Sequence, residues 1–325
     1  MIRPIRSIFL LIALTATCAS AEPWHGEKTQ RAGFDKYTFE VAGKPAWVIV
    51  PKKPAPGNPW VWRGRWANFH AATDNILLQR GFHVAYVDTG NMLGCDEALD
   101  IWDDFYDELT KRHGLSNKPA LEAVSRGGLF VFRWAARHPE RVACIYLDSA
   151  VCDVKSWPLG RGKGDRDSTG MKHLAKYYGL KTERQIVAFR GNPLDPAVMN
   201  PVAEAKIPVL ALLNTQDHIV PPEENALAFA KRYRKLGAPM EIETLPPGTK
   251  SSLKGHHFPV PTDYALRAAD FIERHASAVE SRSKGRTEQS PTQRPRPDSG
   301  VTPSHDECRA ARPQAGERSI SPIKS

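Results

Sequence analysis

The chain has 325 residues, of which 41% are hydrophobic and 25% charged, and its formal net charge is +9. Its sequence pI is about 9.3, yet part of the positive excess sits at the two ends and no DNA- or RNA-binding motif accompanies it. The balance therefore argues against nucleic-acid binding and for no more than weak attraction to acidic polymers. Of the five cysteines, Cys18 and Cys308 lie near the ends, and Cys95, Cys144 and Cys152 lie between them. No pair has metal-ligand spacing, and no metal or cofactor is expected.

The first residues carry charge at Arg3 and Arg6, then an apolar stretch from Ile8 to Leu14, then the small residues Ala19-Ser20-Ala21. That order predicts a signal peptide over residues 1–21. The apolar stretch is well short of the ~20 residues a spanning helix needs, so no stable membrane anchor is expected after cleavage. Thr15 stands where a lipidation motif has Leu, which argues against a lipid on Cys18. A secreted or periplasmic protein follows.

Tyr37 to Val41 and Ala46 to Val50 read as two strands with a turn at Gly43-Lys44. Trp60-Val61-Trp62 is a short apolar strand, residues 68–79 a helix, and Val84 to Val87 a strand. Apolar residues recur at helical spacing from Ala98 to Arg112. Leu121 to Val124 is a strand, Gly127 to His138 a helix, and Cys144 to Leu147 a strand. Ile207 to Leu213, Glu223 to Leu236, Met240 to Leu245 and Tyr264 to His275 continue as strand, helix, strand and helix. Strands alternating with helices after a hairpin predict a mostly parallel, eight-stranded α/β sheet covered on both faces. The domain is expected over 22–276, with a small helical cap inserted at about 153–204. Residues 277–325 are rich in Ser, Pro and Arg and poor in large apolar residues, the composition of a disordered tail.

Leu121 to Val124 runs directly into Ser125, and a helix begins at once. That context suits a nucleophile elbow, in which small residues two before and two after the serine let strand and helix approach. Here they are Ala123 and Gly127. A nucleophilic serine needs a base, and the base an orienting acid. Asp217 follows the apolar run Ile207–Leu213, so it lies at the carboxyl end of a strand, where ligands bind in open α/β sheets. Gly255-His256-His257 follows the last strand. His256 is the expected base and His257 the alternative. The order serine, acid, histidine is that of the α/β-hydrolase fold. The backbone N–H groups of Arg65 and Arg126 are the expected oxyanion donors. Arg63, Trp66 and Trp157 are candidate substrate-binding residues on a charged rim.

The run Leu121-Glu122-Ala123-Val124-Ser125-Arg126-Gly127-Gly128 resembles the Leu-Glu-Gly-x-Ser-Arg-Gly-Gly stretch of a group of exported bacterial α/β hydrolases loosely associated with xylan degradation. Val142 to Tyr146, Val151-Cys152-Asp153, Lys155 to Pro158, Val220-Pro221 and Gly255-His256-His257 are similar to that group too. The resemblance covers roughly residues 35–275. It departs at Ala123, where the group has Gly, and at residues 248–254, which look longer. It implies a serine hydrolase, and a structural role for Cys144 and Cys152 or a disulfide between them; the charged, Trp-bearing rim of an exported enzyme suits a small-molecule or carbohydrate ester. A serine peptidase of the same fold and a catalytically silent glycan- or polyanion-binding protein are the alternatives.

Overall fold

The computed structural model describes residues 22–246, 254–256 and 260–285. Strands β1 (Glu27–Arg31), β2 (Phe34–Val41) and β3 (Lys44–Val50) form an antiparallel ladder. Then come β4 (Trp60–Arg63), α1 (Ala72–Gln79), β5 (His83–Val87), α2 (Asp96–Asp107), β6 (Ala120–Val124), α3 (Gly127–Arg137) and β7 (Cys144–Asp148). The chain continues through α4 (Ser168–Tyr178), α5 (Glu183–Ala188), α6 (Pro196–Glu204), β8 (Val209–Leu213), α7 (Ala226–Lys235), β9 (Met240–Thr244) and α8 (Thr262–Gly285).

All strands belong to one nine-stranded sheet ordered β1-β2-β3-β5-β4-β6-β7-β8-β9. Neighbours from β5 to β9 are parallel, and β1, β2, β3 and β5 pair antiparallel. The ninth strand corrects the expected eight. It is β1, whose residues Glu-Lys-Thr-Gln-Arg are all polar and almost all exposed. With no apolar residue there is no alternation to read, and its charges suit an unpaired sheet edge. By contrast, every residue of β4 to β8 is buried, as parallel strands covered on both faces require.

The order creates one topological switch point. From β4 the chain moves to β5 on one side, and β6 then returns to the other side of β4. Loops leaving the carboxyl ends of β4 and β6 diverge there and leave a crevice, the usual ligand site of such sheets. An aromatic core lies beneath. Trp62 on β4 stacks on Trp102 of α2 at 4.4 Å and meets Trp134 of α3 edge-on at 4.8 Å.

The segment 153–204 divides in two. Its last helix, α6, packs on α3 and is the ordinary crossover from β7 to β8. Only the part before it, with α4 and α5, forms a separate small apolar cluster around Trp157, Leu159, Leu174 and Ile186. Pro196 and Pro201 hid α6 from a propensity reading. Pro196 occupies the first turn, where its missing N–H costs nothing, and Val198, Met199, Val202 and Ala203 are buried in the main core. Helix α8 buries Ala265, Ala268, Ala269, Phe271, Ile272 and Ala276 and runs to Gly285, past the expected boundary at 276. Cys95, Cys144 and Cys152 are buried free thiols. Cys144 and Cys152 are not joined, and burial raises the pKa of both, so they act as small apolar residues.

Candidate active site

Ser125 sits between β6 and α3 at φ +52°, a left-handed conformation that costs a non-glycine residue energy. Three backbone hydrogen bonds hold it there. Its N–H donates to Asp148 O at 3.0 Å, and its carbonyl accepts from Gly128 N at 3.1 Å and Val151 N at 2.8 Å. The side chain is thereby lifted to the carboxyl edge of the sheet.

The glycines of the turn are there for close approach. A Cβ on Gly128 would fall 2.3 Å from Val151 O, inside any contact distance. A Cβ on Gly127 would lie 3.5 Å from Arg65 Cβ and 3.8 Å from Ala123 Cβ, ordinary contact. Ala123 therefore fits where relatives of the resembled group have Gly. Ala123→Gly is expected to change turnover by less than about threefold and to cost roughly 0.5–1 kcal/mol of stability from strand entropy, measured by steady-state assay and urea unfolding. A loss of turnover of tenfold or more would show that the methyl group holds the elbow.

Asp217 caps the turn after β8. Its Oδ1 accepts from Ile219 N at 2.9 Å and Val220 N at 2.8 Å, which leaves Oδ2 directed at His256 Nδ1, 2.7 Å away. His256 Nε2 lies 2.9 Å from Ser125 Oγ. All three side chains are buried. An ionised carboxylate only accepts, so Nδ1 carries the proton and donates to Asp217. The Nε2 lone pair then accepts from the serine hydroxyl.

His256 is held by its neighbours. Gly255 has φ +84°, and a Cβ there would come within 1.9 Å of Gln216 O. Asn214 Nδ2 donates to Gly255 O at 3.0 Å, and its Oδ1 accepts from Gln216 N at 3.0 Å. Asn214 thus clamps the loop that carries the acid to the loop that carries the histidine. In the sequence its signal is slight, an amide directly after an apolar strand. His257, the alternative base, lies outside the described residues. Gly255→Ala is expected to lower kcat by about 10²-fold, since a displacement of 1 Å at a catalytic group costs that much.

Arg65 follows Gly64, whose N–H is tied to Glu122 O at 2.8 Å. The Arg65 backbone nitrogen lies beside Gly127 at the start of α3. Among the described residues, neither the Arg65 nor the Arg126 backbone N–H donates a hydrogen bond to the chain. Both stand at the crevice, the Arg126 group at the N-terminal end of α3, where N–H groups attract negative charge.

A cavity of about 530 Å³ opens over Ser125 and His256. Trp66, Arg126, Trp157, Asp165, Arg166, Asp167, Ser168, Ile219 and Lys254 complete its lining. The Arg126 guanidinium lies over Trp157 at 4.6 Å and over Trp66 at 5.2 Å, and donates to Asn91 Oδ1 at 3.1 Å. Burial lowers its pKa, with the charge of Asp167 opposing. A guanidinium stays charged at neutral pH all the same. Lys254 pairs with Asp165 at 2.6 Å, joining the histidine loop to the insertion. The Arg126 side chain, Asn91 and Lys254 were not legible as site residues, because their partners are distant in sequence.

Arg63 is not on the rim. Its side chain is 1% exposed and lies below the crevice, paired with Asp74 of α1 and at 3.1 Å with Glu122 of β6. Its Nη2 donates to the carbonyls of Trp66, at 3.1 Å, and Phe69. It holds the loop that presents the Arg65 N–H instead of touching a substrate. Buried charges of this kind need partners, and Asp74 and Glu122 reach Arg63 only in the folded chain.

No protein-family model matches the chain, and no curated protein does. Solved structures do. A Mycobacterium tuberculosis puromycin-hydrolyzing peptidase superposes with a TM-score of 0.55 at 16% identity, over 75% of this chain and 40% of the peptidase. A 2,6-dihydroxy-pseudo-oxynicotine hydrolase gives 0.54 at 18% identity, over 76% of this chain and 69% of the hydrolase. The Pyrococcus furiosus esterase Pf2001 gives 0.53 at 18%, over 79% of this chain and 98% of the esterase. The chain therefore has the α/β-hydrolase fold. These identities establish a shared fold, and a fold hosts many chemistries.

Proposed function

We propose that the chain is a serine hydrolase that cleaves a polar ester, an acylated carbohydrate, through an acyl-enzyme. The unbroken relay Ser125–His256–Asp217 beneath an open cavity carries this reading. Ser125 Oγ adds to the acyl carbonyl as its proton passes to His256 Nε2. Asp217 holds the ring and offsets the imidazolium charge. The Arg65 and Arg126 N–H groups take the oxyanion, each worth roughly 10²–10³ in rate. The tetrahedral adduct collapses, and the leaving alkoxide takes the proton from His256. Water then repeats the sequence and frees the acid.

Two indole rings and several charged groups around the cavity suit a polyhydroxylated substrate. Arg166 also lines an adjoining open cleft of about 750 Å³ with Arg161, Arg184 and Arg190, room for a substrate longer than the scissile ester. The same proposal has residues 1–21 removed on export. N-terminal sequencing of the secreted or periplasmic form should begin at Glu22.

The deciding experiment combines a fluorophosphonate probe with matched ester and amide panels. The expected outcome is one probe adduct on Ser125, by peptide mass, and turnover of acylated sugars. Turnover of amides over esters would make the chain a peptidase. Neither labelling nor turnover would leave a binding protein.

A further inference from the structure

A second cluster of chemistry-bearing side chains lies away from the crevice. Helix α2 does not end at Asp107. It passes into a π turn over Glu108–Arg112, closed by His113 N to Glu108 O. Residues five apart fall on one face only in such a turn, and π turns are frequent at functional sites. Glu108 and His113 are therefore neighbours, and His113 Nε2 stands 3.3 Å from Glu108 Oε1. His25 arrives from the segment before β1 and sets its Nε2 at 3.6 Å from the same oxygen. The three donor atoms all lie within 4.8 Å of one another.

The surroundings hold these rings for a ligand. His113 Nδ1 is 3.1 Å from Glu22 O, which fixes the ring and turns Nε2 toward the cluster, the arrangement that orients metal-bound imidazoles. That Nε2 is buried and makes no hydrogen bond among the described residues. Trp24 stacks on His113 at 4.1 Å, and His25 lies parallel to it at 5.3 Å. Bonds of 2.0–2.1 Å from a tetrahedral zinc ion would separate neighbouring N and O ligands by about 3.4 Å. The 3.3 and 3.6 Å separations bracket that value.

We propose that His25, Glu108 and His113 bind a zinc ion, with water in the fourth position. Two imidazoles and a carboxylate are a donor set suited to zinc. Arg112 Nη1 donates to Glu108 Oε1 at 3.2 Å, and its Nε donates to Glu22 Oε2 at 2.6 Å. The site lies where α2 returns toward the amino end of β6, the edge of the sheet opposite Ser125. Its role is structural: the ion fastens the segment ahead of β1 to the end of α2.

The test is zinc titration of chelator-treated full-length protein by calorimetry, with metal analysis and melting curves. The wild type is expected to take up one zinc per chain with micromolar or tighter affinity and to melt several degrees higher. His25→Ala, at a half-exposed position, and Glu108→Gln are each expected to weaken binding at least tenfold, with metal-free melting close to wild type and fluorophosphonate labelling of Ser125 unchanged. Zinc held instead by His305 and Cys308, or by the histidines near Ser125, would survive both substitutions. That result, or no uptake by the wild type, overturns the proposal.

Discussion

Ser125→Ala is expected to lower kcat on an acyl ester by about 10⁶-fold, leaving a residue of catalysis from the oxyanion donors and binding alone. The substitution removes one oxygen and leaves intact the backbone bonds that hold position 125 to Asp148, Gly128 and Val151. Stability should therefore fall by about 0.5–1.5 kcal/mol, the worth of the one hydrogen bond to His256 Nε2 that is lost. His256→Ala should cost nearly as much, because serine and histidine act as a unit. The double variant should be no worse than either alone. Asp217→Asn is expected to cost about 10⁴-fold, since the amide can donate to Nδ1 and stabilise the wrong tautomer of His256. Steady-state and single-turnover kinetics on the four proteins check the set. Additive losses would mean that the three side chains do not share one proton relay, and full activity in Ser125→Ala would remove the nucleophile.

What could be read from the chain beforehand follows from how local each signal is. The elbow was legible because strand, serine and helix are contiguous over Leu121–Leu129. Asp217 was legible because the apolar strand β8 ends in a polar turn. His256 followed a glycine, and the structure gives that glycine a reason: φ +84° and a carbonyl where a Cβ would stand. Signals that depend on distant partners were not legible. Nothing near Arg63 in sequence says that Asp74 and Glu122 will enclose it, so an arginine beside Trp62 and Trp66 read as a rim residue. The π turn at Glu108–Arg112 was hidden because residues 98–112 keep helical apolar spacing through it. Strand β1 was hidden because an edge strand can be entirely polar.

Arg63→Met is the second variant with a large expected effect. It removes the cation that the structure pairs with Asp74 and Glu122, both 1% exposed. Breaking such a buried pair from one side costs about 3–5 kcal/mol, which for a domain of this size is roughly 10 °C in Tm. Glu122→Gln should behave differently. Burial pushes the Glu122 carboxyl well above the usual carboxylate range, Arg63 opposes this, and Asp74 adds to it by charge and hydrogen bonding. Glu122 Oε2 and Asp74 Oδ1 make no hydrogen bond among the described residues. The sign follows from proton counting. Between the unfolded carboxyl pKa, about 4.3, and the higher folded value, the native state holds a proton that the unfolded chain has lost. Stability contributed by Glu122 is full below that window and falls as pH rises through it. Glu122→Gln removes this slope and keeps the acceptor for Arg63, so it should equal or exceed wild-type stability at pH 8. The double variant Arg63→Met/Glu122→Gln should recover part of the Arg63→Met loss, since neighbours that share a network do not add. Urea unfolding from pH 4 to 8 on the four proteins reads all of this. A loss below 1 kcal/mol in Arg63→Met would mean that the cluster is not held as an ion pair. Because Arg63 also holds the carbonyls of Trp66 and Phe69, the same variant should lose turnover even where it remains folded, through a loosened Arg65 N–H, with kcat falling more than KM rises.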